Sequence, residues 1–126
     1  MSTSQPSTVT LYHNPNCSKS RGALELLASL AQTNNLTLEL VEYLDSPPDK
    51  ATLTLLLDQL QGAPQELVRN DKNFKALGLN FSDYINTQAV IDLLLEHPVL
   101  MQRPLAIYNN KAAIGRPPEA LLELFQ

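Results

Sequence analysis

From Ser18 onward the apolar residues Ala23, Leu24, Leu26, Leu27, Leu30 and Ala31 recur at spacings of three and four. That period lines one face of a helix, and the turn-forming pair Asn34-Asn35 predicts where it stops. Short apolar runs flank the helix, Val9 to Tyr12 before it and Leu36 to Tyr43 after it, and both read as strands. An antiparallel pair needs only a tight turn. A connection as long as a helix therefore predicts a right-handed parallel crossover, a βαβ unit.

The pattern then changes. Ser46-Pro47-Pro48-Asp49 opens a segment whose leucines at 53, 55, 56, 57 and 60 suit a helix ending at Gly62. Ala63 to Arg69, Lys72 to Leu77 and Thr87 to Glu96 also read as helical, the last stopping short of Pro98 because a residue before proline is driven out of the helical region. Leu105 to Tyr108 and Ala112 to Ile114 are short strands around a hairpin signal at Asn109-Asn110-Lys111, and Pro117 to Phe125 closes the chain as a helix. The order βαβ, helical block, ββα predicts an α/β fold with a mixed sheet. One domain is expected over residues 9–126, with an all-helical insertion at about 46–97. A polar leader without either period, residues 1–8, precedes it.

Composition adds limits. With 126 residues and 44% hydrophobic residues the chain can build a core without disulfide or metal staples. Nine basic against thirteen acidic side chains leave a net charge of −4, which argues against general attraction to nucleic acid or membrane surfaces. No run of eighteen apolar residues occurs, and a single cysteine cannot form an internal disulfide. A soluble, cytoplasmic protein is the expectation.

The single cysteine, Cys17, falls where the first strand breaks at Asn14-Pro15 and the first helix begins. Unpaired N–H groups and the positive end of the helix dipole meet at such a junction and pull a thiol below its ordinary pKa of about 8.5. A lone cysteine is otherwise a small buried hydrophobe. The polar neighbours Asn16, Ser18, Lys19 and Ser20 favour the nucleophile. Of the four arginines, Arg103 and Arg116 each precede a proline that holds them extended at an element boundary, and a planar guanidinium fork suits a tetrahedral oxyanion. Arg21 lies within the first helix and is open to either a functional or a solvent-facing role. His13, four residues before Cys17, has two readings, a charge partner or proton donor for the thiolate, or a ring that caps or packs the loop. His97 is expected at terminal helix carbonyls. The spacing of His and Cys forms no metal site, and no phosphate-binding glycine loop is present.

Taken together, Tyr12-His13-Asn14-Pro15-Asn16-Cys17 with Ser20-Arg21, Tyr43-Leu44 before Pro47-Pro48, Leu67-Val68-Arg69, His97-Pro98, Arg103-Pro104 and Arg116-Pro117 resemble the glutaredoxin-dependent arsenate reductase (ArsC) family over about Val9 to Phe125. The resemblance implies a thioredoxin-like fold with a helical insertion. It implies that the Cys17 thiolate attacks arsenate or a related oxyanion held by Arg69, Arg103 and Arg116. His13 and Ser20 would support the thiolate, and Pro104 is a candidate cis-proline facing it. No bound cofactor or metal is implied; glutathione acts as co-substrate and glutaredoxin resolves the mixed disulfide. A chain with one thiol fits this scheme, since the other thiols must come from outside. One departure is Ser18, where the resistance enzymes of the family carry glycine.

Two other functions are separable on residues. A low-molecular-weight phosphatase needs Cys-x5-Arg, and the sixth residue after Cys17 is Ala23. Regulators of the Spx kind, which bind RNA polymerase, use a Cys-x-x-Cys switch. Ser20 stands at its second position here, so a non-enzymatic redox regulator or adaptor would need modification of Cys17 itself.

Overall fold

The computed structural model describes residues 7–60 and 62–126. The chain divides into two compact units, Met1–Glu42 with Arg103–Gln126, and Tyr43–Gln102.

In the first unit strand β1 (Thr8–His13) leads into helix α1 (Ser18–Thr33) and strand β2 (Thr37–Glu42); strands β3 (Leu105–Tyr108) and β4 (Lys111–Ile114) follow, then a 3-10 helix, Pro118–Phe125. The sheet order is β2-β1-β3-β4. β1 pairs parallel with β2 and antiparallel with β3, which pairs antiparallel with β4. This is a mixed α/β sheet of the thioredoxin-like kind. Val9 and Leu11 on one face of β1 meet Ala23 and Leu27, one turn apart on α1, and Leu121 and Leu124 of the C-terminal helix. The helix and the 3-10 segment therefore cover the same face of the sheet. Gly22 lets them approach, since a Cβ there would lie 3.3 Å from Pro118 Cγ. Leu27 is fully buried, and Leu27→Ala is expected to cost about 2–5 kcal/mol of unfolding free energy, read from the midpoint of a urea titration.

Local chemistry sets the ends of these elements. Asn34 closes α1 by donating both its backbone N–H and its Nδ2 to the Leu30 carbonyl. Asn109 and Asn110 form a two-residue hairpin with φ of 56° and 62°, the left-handed pair that a type I′ turn requires and asparagine tolerates. Lys111 consequently pairs with Tyr108 in the ladder instead of sitting in the turn. The leader expected over residues 1–8 falls outside the described residues at 1–6. At its end the structure differs: Thr8 opens β1, and the Ser7 carbonyl accepts the Thr37 N–H at 2.7 Å. The closing helix is 3-10 throughout.

The second unit holds helices α2 (Lys50–Gln59), α3 (Lys72–Ala76) and α4 (Thr87–Glu96), with 3-10 turns at Pro64–Leu67, Phe81–Asp83 and Pro98–Leu100. Each α-helix starts at a carboxylate or amide cap: Asp49 accepts from Thr52 N–H, Asp71 from Asn73 and Phe74, Asn86 from Ala89. Leu53, Leu56 and Leu57 of α2 and Val90, Ile91, Leu93 and Leu94 of α4 are buried. Phe74 meets Phe81 and Tyr84 edge-on, each with ring centroids 5.8 Å apart.

Two sequence expectations are corrected in this unit. α2 stops at Gln59 rather than Gly62, because Leu60 turns extended at ψ 133°. The helical pattern of Ala63 to Arg69 survives only as the turn Pro64–Leu67; Val68 instead bridges Met101 in antiparallel fashion, with Arg69 N–H donating to Leu100 O and Gln102 N–H to Leu67 O, both at 2.7 Å. His97 meets a terminal helix carbonyl, as expected, through its backbone N–H, which donates to Leu93 O at 2.8 Å, and its Nε2 lies 3.6 Å from the Glu96 carboxylate. Among the described residues no helix is long and apolar enough to cross a membrane.

Candidate active site

The chain leaves β1 at His13 and enters α1 through Asn14-Pro15-Asn16-Cys17. Proline removes one N–H from this loop, and Asn14 organises the others. Its Oδ1 accepts the Asn16 N–H at 3.0 Å, and its carbonyl accepts the Cys17 N–H at 3.0 Å. The Asn14 N–H itself donates to Oγ of Ser20 at 3.3 Å, with both residues buried. From the helix side Arg21 Nη1 reaches back to the Pro15 carbonyl at 2.9 Å. The loop is thus held at both ends by side chains from the first turn of α1.

Cys17 is the N-cap residue of α1 and half-buried; as a thiol it closes no capping hydrogen bond. Burial alone would push its pKa up. The backbone N–H of Ser20, the Arg103 side chain hydrogen-bonded to the sulfur, and the Lys19 N–H outweigh that effect and lower the thiol to about 7. About half the protein would carry a thiolate at pH 7, against roughly 3% for an ordinary thiol. Alkylation by iodoacetamide is expected to titrate with a midpoint near pH 7; a midpoint near 8.5 would contradict the activated cysteine.

Arg103 and Arg116 are tied to one another. Arg116 Nη1 donates to the Arg103 carbonyl at 2.8 Å, so the residue whose side chain meets the sulfur also anchors the second guanidinium. The backbone brings them together. Gly115 N–H donates to Pro104 O at 2.8 Å, extending the β3–β4 ladder, and a Cβ at Gly115 would lie 2.9 Å from both Pro104 Cγ and Leu121 Cδ1. Only glycine permits that approach. The Arg103–Pro104 bond is cis, and so is Arg116–Pro117.

The two readings of His13 separate. The ring is only 3% exposed, and Nδ1 makes no hydrogen bond. Burial, with a smaller push from Arg21, outweighs the Glu42 carboxylate and a Ser20 backbone group and lowers its pKa below the ordinary imidazole value, which works against an imidazolium here. The buried, unpaired ring nitrogen favours the packed ring over the cationic partner. His13→Ala should therefore leave the alkylation midpoint of Cys17 within about 0.3 of the wild-type value.

Arg69 belongs to the other compact unit. There its Nε meets Asp71 Oδ2 at 3.2 Å and its Nη1 meets Gln102 Oε1 at 3.1 Å. The structure thus brings Cys17, Ser20 and the Arg103 side chain together at the N-terminus of α1, ties Arg116 to the Arg103 carbonyl, and gives Arg69 partners of its own. Sequence reasoning missed the Arg21 clamp and the Asp71 and Gln102 contacts. Asp71 carried a signal, an aspartate opening a helical run; Arg21 carried none, because an arginine in a first turn looks the same whether it faces solvent or a loop. Among the described residues no group of three or more His, Cys, Asp or Glu gathers as a metal site would need.

An activated thiol at a helix N-terminus with an arginine on its sulfur can bind an oxyanion and attack it. The family model of ArsC matches residues 12–124. The chain belongs to the ArsC family. It is 43% identical over 118 residues to the uncharacterized protein YfgD of Escherichia coli K12, covering 92% of this chain and 95% of that one. It is 37% identical over 113 residues to an arsenate reductase of Neisseria meningitidis, covering 88% and 92%. The structure of an arsenate reductase from Vibrio cholerae superposes with a TM-score of 0.78 at 32% identity, covering 95% of this chain and 99% of that one. This ArsC-family chain therefore spans nearly the full length of each of these relatives.

Proposed function

We propose that the protein reduces arsenate to arsenite with Cys17 as its only thiol, drawing reducing equivalents from glutathione and glutaredoxin. The observation that carries this reading is the Cys17 thiol lowered to about 7 with the Arg103 side chain on its sulfur. Relatives that are arsenate reductases support the choice of oxyanion. Arg103 and Arg116 hold the anion beside the sulfur; Arg69 joins them on the strength of the family resemblance. Ser20 supports the thiolate through its backbone N–H, and His13 does so by packing the loop. Pro104 lines the same site. A single domain over residues 9–126, a helical insertion at about 46–97 and a cytoplasmic location belong to the same reading.

The thiolate attacks arsenic(V) and a water molecule leaves, giving a Cys17–S–As(V) adduct. Glutathione then attacks the Cys17 sulfur. The S–As bond breaks with its electron pair staying on arsenic, which departs as arsenite, and a Cys17–glutathione disulfide remains. The glutaredoxin thiolate attacks the glutathione sulfur and restores Cys17. Two thiols are oxidised and one arsenic centre is reduced by two electrons.

The test is NADPH oxidation coupled through glutathione reductase, with arsenate, glutathione and glutaredoxin each omitted in turn. Turnover should require all three, and mass spectrometry of a reaction lacking glutaredoxin should find one glutathione on Cys17. Full turnover with thioredoxin alone, or no adduct, would remove the monothiol mechanism. Capture of RNA polymerase with no arsenate-dependent oxidation would favour the Spx-like regulator.

A further inference from the structure

Arg69 is held more firmly than oxyanion binding alone requires. Its backbone is stitched on both sides to the strand-like segment Leu100–Gln102, through Arg69 N–H to Leu100 O and Gln102 N–H to Leu67 O, each at 2.7 Å. Its side chain is then gripped twice, by Asp71 Oδ2 on Nε and by Gln102 Oε1 on Nη1. Asp71 is itself immobilised, because Oδ1 caps α3 by accepting from Asn73 and Phe74. The pair is largely shielded, with side-chain exposures of 18% and 23%.

We propose that Asp71 and Gln102 are positioning residues for Arg69, holding its guanidinium in one orientation from which its remaining donors meet an oxyanion. This rests on the reading of Arg69 as an oxyanion ligand. A guanidinium has five N–H donors. Asp71 takes the one on Nε and Gln102 one on Nη1, which leaves one donor on Nη1 and two on Nη2 among the described contacts. Donors on two adjacent nitrogens remain, and such a pair can give a tetrahedral anion two parallel hydrogen bonds. An arginine left to wander would have to be frozen on each binding event, and the clamp makes that cost part of folding. Asp71 stays charged in this role: burial works against its ionisation, but the Phe74 N–H and the Arg69 guanidinium hold its carboxyl below the ordinary range.

The charge of Asp71 acts the other way, since a carboxylate beside the arginine weakens its pull on an anion. Position and charge are separable by substitution. Asp71→Ser keeps a hydroxyl that can cap α3 but is too short to hold Arg69, whereas Asp71→Asn keeps both the cap and a neutral acceptor for Nε. In the coupled assay Asp71→Ser and Gln102→Ala should each raise the arsenate KM about three- to tenfold, with the glutathione KM unchanged and the melting temperature within about 2 °C. Asp71→Asn should stay within about twofold of wild type. In an Arg69→Ala background, Asp71→Ser should have no further effect on the arsenate KM, because there is no guanidinium left to place.

A wild-type KM in Asp71→Ser, or an equal loss in Asp71→Asn, together with a weakened Arg69→Ala, would overturn the positioning role while leaving Arg69 as a ligand. An Arg69→Ala enzyme with the normal arsenate KM would instead overturn the assignment of Arg69 itself. Protection of Cys17 from iodoacetamide by inorganic phosphate should follow the same order across the variants and supplies a readout independent of turnover.

Discussion

Cys17→Ser is expected to abolish arsenate-dependent NADPH oxidation, with a loss of at least about a thousandfold, because a hydroxyl is not ionised at pH 7 and cannot enter a disulfide. The same substitution should leave the fold intact. Cys17 is the N-cap of α1, is half-buried, and closes no capping hydrogen bond as a thiol. Serine is among the preferred residues at that position, since its Oγ is a better acceptor than a thiol for the N–H groups of the first turn. The melting temperature of the variant should therefore equal or slightly exceed that of wild type. Lost activity with an unchanged or raised melting temperature isolates the chemistry of the thiol. Residual reduction above about 1% of wild type would show that glutathione can attack bound arsenate directly, and would demote Cys17 from nucleophile to bystander.

The cysteine was legible because it depends on local facts. A broken strand, a proline and the start of a helical period all lie within the segment from Val9 to Ala31, and α1 begins at Ser18 as that period requires. The partner of the cysteine was not legible in the same way. Arg103 reaches the sulfur only because β3 lies antiparallel beside β1, with Leu105 opposite Tyr12. No periodicity in either segment specifies that pairing; the resemblance to a family named the arginine, and the sheet supplies the physical reason. His13 marks the opposite limit. Its distance in sequence from Cys17 allowed a charged or a packed ring, and its burial, which no local pattern announces, favours the packed one. The stretch from Ala63 to Arg69 misled because a helical period in a short segment competes with long-range pairing. There Leu67 and Arg69 give their backbone groups to the segment at Leu100 to Gln102.

Arg103→Lys is expected to be nearly as damaging as truncation, and the reason lies in geometry more than in charge. The Arg103 side chain hydrogen-bonds the sulfur, and its carbonyl accepts from Arg116. Lysine keeps the positive charge, and the backbone carbonyl is untouched, so Arg116 retains its anchor. What disappears is the planar fork, which can hold the sulfur with one N–H while offering others to the oxyanion; an ammonium is a single point of charge that must choose. Turnover efficiency with arsenate should fall about ten- to a hundredfold. The alkylation midpoint should rise from about 7 toward that of an ordinary thiol, about 8.5. Arg103→Ala should lose somewhat more in both measurements because the Coulombic attraction goes as well. Arg116→Ala, which leaves Arg103 in contact with the sulfur, should weaken arsenate binding while the midpoint stays near 7. An Arg103→Lys enzyme that alkylates near pH 7 and reduces arsenate normally would mean that positive charge alone sustains the site, and the bidentate role of this arginine would have to be abandoned.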